Sequence, residues 1–464
     1  MKRRSFQLLI AIIALMFFTT SCKKTFFTDV NVNPNATPTV KPPLLLSTVE
    51  AALAYTQGGD MSRYSSLLMQ QVFGANSQSQ SYYSYALNPG TFDNVWPDLY
   101  TSTMENDYSL IQISDAGNYN EYSGVARILM AYTLQITVDT WGKIPYSQAF
   151  QGNQASQNLH PMFDDDKALY DTIASLVDKG ITFLNSPSGG DLTPTSDDVI
   201  YGGDAPSWIR FGHAIKARLY LHQSKGNAAM ATQALAEIAQ SFTSTSQNAQ
   251  YLFNVAETAA NPWYQFNRDR PGDETFSNST LGQSMLANND PRYSIFFDST
   301  NETKGKKGNH FGGLNDYYGS ATSPVEFITY GELQFASAEA TLRATGDYAT
   351  AQAFYQAGIR SNLQKLGVPS ETIINYVTAN GTLPTTSVNA AIAKVASEEY
   401  ISLFLNPEVW TLWRRTNTPT LIPTAGSAIP RRLNYPQSEY SYNTANVPIP
   451  ATSGILTPYI FWDK

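Results

Sequence analysis

Residues 335–357, FASAEATLRATGDYATAQAFYQA, have the pattern of two helices joined by a tight turn. After the turn residues Gly346 and Asp347, an apolar or small residue returns every three positions. These positions are Tyr348, Ala351, Phe354 and Ala357. The segment before the turn supplies a second row of small residues, Ala336, Ala338 and Ala340. Small side chains let two helices approach closely while large rings fill the groove between them, so the stretch predicts a helix hairpin.

This alternation of small and large residues is typical of a tetratricopeptide hairpin, a unit that normally needs at least three stacked copies to bury its faces. Helical periodicity of apolar residues recurs along the chain. The predicted helices are 44–55, 62–73, 96–113, 122–138, 166–184, 208–224, 228–240, 280–288, 324–344, 348–366, 369–379 and 388–405. Candidates for further repeats are the pairs near 96–138, 166–224 and 388–413. We therefore expect a mainly α fold with one tetratricopeptide-like hairpin, and periodicity alone does not identify the other pairs as repeats.

Two internal segments lack this periodicity and are rich in Asn, Gly, Ser and aromatic residues: 74–94 and about 241–323. The second is far longer than an ordinary connection, apart from one short helical pattern within it. Unusually long loops in compact proteins tend to be functional. The sequence therefore predicts a single helical domain over 44–464, with a loop-rich insertion at about 241–323 that is a candidate for a functional region.

The amino terminus has the pattern of a secretory signal. Lys2, Arg3 and Arg4 precede an apolar run over 6–18, which is too short to span a bilayer because that needs about 20 residues. Small residues follow, and then Cys22, the only cysteine in the chain. We expect a lipoprotein signal over 1–21, lipidation of Cys22 and a flexible tether over 22–43, which is rich in Asn and Pro. The alternative is an ordinary signal peptide with an incidental cysteine.

The composition argues against nucleic acid as a partner. Charged residues make up 15% of the chain and the net charge is −8. A nucleic-acid-binding protein needs clustered Lys and Arg to neutralise phosphates. Outside the signal, the only such cluster is 304–307, which is predicted to be a solvated loop. A solitary cysteine also excludes an intramolecular disulfide.

Catalytic patterns are scarce, so we predict that the protein is not an enzyme and has no cofactor or metal site. The four histidines show no metal-ligand spacing, and there is no nucleophile elbow, phosphate-binding loop or zinc-protease motif. The acidic run 164–166 could bind calcium, but it more simply favours the positive amino-terminal end of a helix. No pair of carboxylates is singled out for glycoside hydrolysis.

Aromatic residues in the predicted loops are the strongest candidates for a binding site. Exposed rings can stack on the apolar face of a sugar while neighbouring polar groups bond its hydroxyls. The candidates are Tyr82, Tyr83, Tyr85, Trp263, Tyr264, Phe266, Tyr317 and Tyr318. The alternative for each ring is that it pins its loop to the scaffold. Trp96, which begins a predicted helix, is expected in the core.

Several segments in order resemble the SusD/RagB family of Bacteroidota outer-membrane lipoproteins, over nearly the whole chain after the signal. The segments are DVNVNPN (29–35), DTWGKIPY (139–146), 208–219, NDPR (289–292), FITYGE (327–332) with 338–340, WRRT (413–416) and IPRRLNYP (429–436). These motifs belong mostly to the family's scaffold, so the resemblance transfers no ligand-binding residue to this chain.

The resemblance implies a tetratricopeptide-like helical-repeat scaffold with a loop-rich ligand-binding face. It also implies a lipid anchor at the outer membrane, with the protein facing the cell exterior. It also implies a partner, a TonB-dependent SusC-like transporter over which the lipoprotein forms a hinged lid. The expected function is capture of a nutrient, most simply an oligosaccharide, and its delivery to that transporter. Three alternatives stay open: capture of a peptide or another nutrient, a surface glycoside hydrolase, and a structural lid without a ligand of its own.

Overall fold

Helix pairs build most of the structure, a computed structural model that describes residues 40–152, 158–451 and 454–463. The predicted signal, the lipidation of Cys22 and nearly all of the tether lie outside the described residues. Contacts group residues 42–464 into one unit. No helix in the described part of the chain is long and apolar enough to cross a membrane. The prediction of a mainly α fold is confirmed.

The helices fall into a first half, a middle part and a second half of the chain. The first half contains α1 (Pro42–Thr56), α2 (Ser62–Leu68), α3 (Ser77–Tyr83), α4 (Val95–Pro97), α5 (Glu105–Gly117), α6 (Asn120–Trp141), α7 (Asp166–Leu184), α8 (Ala205–His222) and α9 (Ala228–Ile238). The middle part contains α10 (Pro262–Asp269), α11 (Thr280–Ala287), α12 (Tyr293–Phe296) and α13 (Asp316–Gly319). The second half contains α14 (Tyr330–Ala344), α15 (Tyr348–Lys365), α16 (Ser370–Asn380), α17 (Val388–Ser402), α18 (Glu408–Thr416) and α19 (Gln437–Tyr442).

The predicted hairpin is formed by α14 and α15. Gly346 has φ +69°, a left-handed conformation that suits glycine, and the side chain of Asp347 caps α15 by accepting hydrogen bonds from the backbone N–H groups of Ala349 and Thr350. A Cβ atom at Gly358 would lie 2.8 Å from the ring of Phe335, so the two helices pack too closely there for any larger residue. A glycine directly after the quoted stretch therefore allows this close packing.

The strands are short and all pair antiparallel in the described residues. They are β1 (Phe73–Gly74) with β5 (Glu274–Thr275), β2 (Ile144–Pro145) with β3 (Phe163–Asp164), β4 (Ala249–Leu252) with β8 (Pro324–Ile328), and β6 (Lys306–Lys307) with β7 (His310–Phe311). The pairs β1–β5 and β4–β8 join the first half of the chain and the α14–α15 hairpin to the middle part.

Several details of the predicted elements are wrong. Helix α1 begins at Pro42, so the last two residues assigned to the tether are helical, because proline is tolerated in the first turn. Residues 324–328 form strand β8, although they were predicted to begin a helix. Helices α3 and α10 occupy segments predicted to be loops.

Buried ion pairs tie the helices of the core together. Arg218 of α8 donates to both carboxylate oxygens of Glu332 at 2.5 and 2.8 Å, and Arg415 of α18 contacts Glu339 of α14 at 3.0 Å. Arg218, Glu332 and Arg415 lie in or next to the motifs that resemble the SusD/RagB family. Those motifs therefore have a structural role, as the sequence indicated.

The Glu339 pair predicts acid-dependent stability. Arg415 and Arg343 outweigh the cost of burial and hold the pKa of Glu339 at about 2. Because this pKa is depressed on folding, the pair stabilises the protein fully above pH ~4.3 and loses its effect as the pH falls towards 2. We expect Glu339→Gln to remove about 2 kcal/mol of the pH-dependent part of the unfolding free energy in urea titrations between pH 6 and 2.5, by linkage. Equal pH slopes for the variant and the wild type would contradict this assignment.

Candidate functional site

A cleft of about 270 Å³ opens beside the junction of α1 and α2. We name it the Arg63 cleft. Its walls come from α1, α2, the residues after α4, and α10. The residues that line it are Tyr55, Thr56, Gly59, Asp60, Arg63, Asp98, Pro262, Gln265, Phe266, Asp269 and Arg270. Aromatic, carboxylate, amide and guanidinium groups therefore meet in one concave surface.

Two π-helical segments shape this cleft. The first, Gln57–Met61, contains Gly59 with φ −92° and ψ −111°, a break in helical geometry where the chain carries a glycine. The second, Asp98–Met104, directly follows Pro97. Each segment contributes an aspartate to the lining, Asp60 from the first and Asp98 from the second. Such π-helical turns are rare and occur frequently at functional sites.

The guanidinium group of Arg63 is the fixed centre of the cleft. It lies 3.8 Å from the centroid of the Phe266 ring and 5.8 Å from that of Tyr82. Its Nε donates to Glu274 at 3.1 Å and its Nη1 to Asp60 at 3.3 Å. Only 5% of the Arg63 surface is exposed. Ring stacking and ion pairing therefore hold the Arg63 side chain in one orientation.

The acidic groups at the opening perturb one another. Burial raises the pKa of Asp60, while Arg63 opposes that shift. Burial and the nearby Asp60 raise the pKa of Asp98, for which no side-chain hydrogen bond or ion pair is found among the described residues. The ring of Tyr55, 47% exposed, lies beside these carboxylates, and burial followed by the charges of Asp60 and Asp98 raises its pKa. The arrangement offers one aromatic face and several acceptors for hydroxyl donors.

Helix α10 carries three of the predicted rings: Trp263, Tyr264 and Phe266. Phe266 faces Arg63 and, across it, Tyr82. Tyr264 packs edge-on against Phe311 with ring centroids 5.1 Å apart. The asparagine before α10, Asn261, accepts hydrogen bonds from the first backbone N–H groups of the helix and so fixes where it begins.

The expectation of exposed rings is wrong for Trp263 and Tyr318. Trp263 is 3% exposed, and its indole N–H donates to the hydroxyl of Ser62 at 2.9 Å. Tyr318 is 7% exposed and packs against Phe296 and Phe404. Buried rings offer no face to a sugar, so these two residues have a packing role in this structure. Both rings serve the alternative considered from the sequence, which is to pin their segments to the scaffold.

The remaining candidates lie outside the lining of the Arg63 cleft. Tyr83 packs against Phe73, and the Tyr85 hydroxyl accepts a hydrogen bond from the backbone N–H of Thr424 at 3.1 Å. Tyr317 is half-buried next to Tyr318. Of the eight predicted rings, Phe266 lines the cleft and Tyr82 borders it through Arg63.

The sequence reasoning missed Tyr55, Asp60, Asp98 and Gln265. Tyr55 has the position of an ordinary helix end, and the two aspartates are 38 positions apart in the chain. One local signal was present: the pair Gly58-Gly59 directly after a helical pattern indicates a break. A Cβ atom at Gly58 would lie 2.3 Å from a methyl group of Val325, which explains why a glycine stands there.

A candidate metal centre was not expected from the sequence. In residues 40–152, 158–451 and 454–463, no group of three or more His, Cys, Asp or Glu side chains could hold a metal ion.

The fold is similar to several solved structures that each match at low sequence identity. A SusD/RagB family protein from Bacteroides thetaiotaomicron superposes with a TM-score of 0.72 at 21% identity, over 92% of this chain and 99% of that one. A chitin-binding protein superposes with a TM-score of 0.76 at 22% identity, over 91% and 100%. A chitin-binding SusD homolog from Flavobacterium johnsoniae superposes with a TM-score of 0.72 at 20% identity, over 91% and 97%. At identities of 20–22%, this structural similarity establishes the fold alone.

The family follows from the sequence itself. No curated protein matches the chain. A family model described as "Starch-binding associating with outer membrane" matches residues 34–436, which is most of the chain. The resemblance seen in the scaffold motifs is thereby confirmed. The chain belongs to the SusD-like family of outer-membrane-associated binding proteins.

Proposed function

We propose that the protein binds an oligosaccharide in the Arg63 cleft and delivers it to a TonB-dependent SusC-like transporter. The observation that carries the binding part is the exposed ring of Tyr55 beside the carboxylates of Asp60 and Asp98 in one cleft. A ring of this kind stacks on the apolar face of a sugar, and carboxylates accept hydrogen bonds from its hydroxyls. The family and the two chitin-binding structural neighbours support this choice of ligand.

The cellular setting is part of the same proposal. The basic start, the short apolar run and Cys22 support lipid anchoring of the mature chain. The family supports a position at the outer membrane, and in this proposal the protein faces the cell exterior. A binding protein that serves a transporter must release its ligand, so micromolar affinity, about −8 kcal/mol, suits it. The protein performs no reaction on the sugar in this scheme.

Calorimetry on the purified protein tests the proposal. The panel contains soluble oligosaccharides of starch and chitin, and peptides. We expect saturable binding of at least one oligosaccharide with no change in its length. Binding of peptides alone would favour peptide capture, and release of shorter sugars would favour a glycoside hydrolase. Absence of binding to every member of the panel would favour a structural lid without its own ligand.

The charges of the cleft predict which oligosaccharides bind. Three aspartates and two arginines line it, and Arg63 is already paired with Glu274 and Asp60. A uronate group at the opening would therefore face a net negative wall. We expect neutral oligosaccharides to bind more tightly than oligogalacturonates. Asp98→Asn should reduce the ratio of these two affinities about fivefold, which corresponds to ~1 kcal/mol for the loss of one charge. Glu371→Gln, which removes an exposed charge on α16, should leave the ratio unchanged. An unchanged ratio in Asp98→Asn would contradict the role of this wall.

A further inference from the structure

The charges that line the Arg63 cleft are not balanced by one another. Arg63 pairs with Glu274 at 3.1 Å, and Arg270 lies 3.7 Å from Asp273. Neither Glu274 nor Asp273 lines the cleft. The two positive groups of the lining are therefore already compensated by acids outside it, and the lining aspartates remain in excess.

The three lining aspartates differ in what neutralises them. Asp269 pairs with Arg268 at 2.7 Å, and Asp60 contacts Arg63 at 3.3 Å. Asp98 has neither a side-chain hydrogen bond nor an ion pair in the described part of the chain. Burial and then the charge of Asp60 raise the pKa of Asp98, so these two carboxylates repel each other. A cation bound beside them would relieve that repulsion.

The ring of Tyr55 is a separate feature of the same cleft that favours a cation. The face of an aromatic ring attracts a cation through its quadrupole. Tyr55 is 47% exposed, and no cationic side chain of the described residues stacks on it. Burial first, and then the charges of Asp60, Asp98 and Asp269, raise its pKa. The Tyr55 hydroxyl therefore lies in a negative potential, which a bound cation would offset.

The cleft also has a neutral group that suits the hydroxyls of a sugar. The side-chain amide of Gln265 donates to the carbonyl oxygen of Ala260 at 2.7 Å, which holds the amide in place. Its oxygen accepts no hydrogen bond from the described residues and is available to a hydroxyl donor. A ligand that combines hydroxyl groups with one positive charge therefore matches this cleft better than a neutral sugar.

We infer that the ligand of the Arg63 cleft is an amino sugar with a free, protonated amine, which Asp98 and the ring of Tyr55 recognise. The inference rests on the proposed function, because it names the class of sugar that the same site selects. An ammonium group supplies a positive charge and three N–H donors. N-acetylation removes that charge and leaves the rest of the sugar unchanged, so an acetylated sugar would leave Asp98 without a counterion.

Calorimetry at about pH 6 and low salt tests this inference with two trisaccharides of equal length. One consists of glucosamine and the other of N-acetylglucosamine. Amines are protonated at this pH, because α-amino groups titrate near pH ~8. We expect the glucosamine trisaccharide to bind about tenfold more tightly, through one cation–π contact and one exposed ion pair. The preference should fall as NaCl is added, because salt screens exposed charges.

A variant of the unpaired aspartate tests where the amine binds. Asp98→Asn keeps the shape of the side chain and removes its charge. We expect the ratio of the two trisaccharide affinities to fall about threefold, which is the share of one exposed ion pair. Asp191→Asn makes the same change at an exposed aspartate outside the cleft and should leave the ratio as in the wild type.

The outcomes separate this inference from the proposed function. Equal affinities for the two trisaccharides, with binding that depends on Tyr55, overturn the inference and leave the proposed function in place. A preference for the amine that persists both in Asp98→Asn and at high salt also overturns it, because the charge is then recognised elsewhere. Binding of oligolysine but of no oligosaccharide assigns the site to peptides and overturns both. Absence of binding to every oligosaccharide also overturns both.

Discussion

Replacing Arg292 by methionine is expected to lower the free energy of unfolding by about 3–5 kcal/mol, because it leaves two carboxylates buried without a cationic partner. Arg292 is fully buried in the middle part of the chain. Its guanidinium donates to Asp290 at 2.8 and 2.6 Å, to Glu398 at 2.9 Å and to the hydroxyl of Tyr376 at 2.8 Å. The cluster joins the segment before α12 to α16 and α17.

Urea denaturation of the purified protein measures this loss. Arg360→Met is the control, because Arg360 is exposed on α15 and removal of its charge should change stability by no more than about 0.5 kcal/mol. The triple variant with Asp290→Asn, Arg292→Met and Glu398→Gln should recover part of the loss, since no unpaired charge then remains buried. A loss below about 1 kcal/mol for Arg292→Met alone would refute the structural role of this cluster.

The sequence predicted the helical scaffold because its repeats are local. The alternation of small and large residues in 335–357 depends on one helix and its neighbour, and α14 and α15 form as expected. Residues 324–328 show the limit of this reasoning. A short apolar run fits either a helix or a strand by periodicity, and its pairing partner, β4, lies more than 70 residues earlier in the chain.

Helix α10 was missed although its start carries a local signal. Asn261 followed by Pro262 is a cap residue and a proline at the first helical position, an arrangement typical of helix beginnings. The polar residues that follow concealed the pattern. The burial of Trp263, in contrast, has no local signal, because its partner Ser62 lies about 200 positions away.

The candidate site was predictable only in part. Aromatic richness pointed to Phe266 and Tyr82, which do lie at or beside the Arg63 cleft. The carboxylates of Asp60 and Asp98 meet through the packing of α1 against the segment after α4. No residue spacing in the sequence predicts that these two side chains lie close together. The carboxylate acceptors of the site could therefore be identified only from the structure.

Replacing Tyr55 by alanine is expected to weaken oligosaccharide binding by about ten- to thirtyfold, or ~1.4–2 kcal/mol. The ring is the exposed aromatic face of the Arg63 cleft, so its removal takes away the stacking surface and leaves the carboxylates in place. Because Tyr55 is nearly half exposed at the end of α1, the substitution should cost little stability.

Two matched variants identify what the ring contributes. Tyr55→Phe keeps the aromatic face and removes the hydroxyl, so it should retain most of the affinity if stacking dominates. Tyr442→Ala removes a ring that is 77% exposed and does not line the Arg63 cleft, so it should bind like the wild type. Calorimetry with the same oligosaccharide compares all three. Among the residues that line the Arg63 cleft, Tyr55 has the most accessible ring. Wild-type affinity in Tyr55→Ala would therefore show that the sugar binds elsewhere.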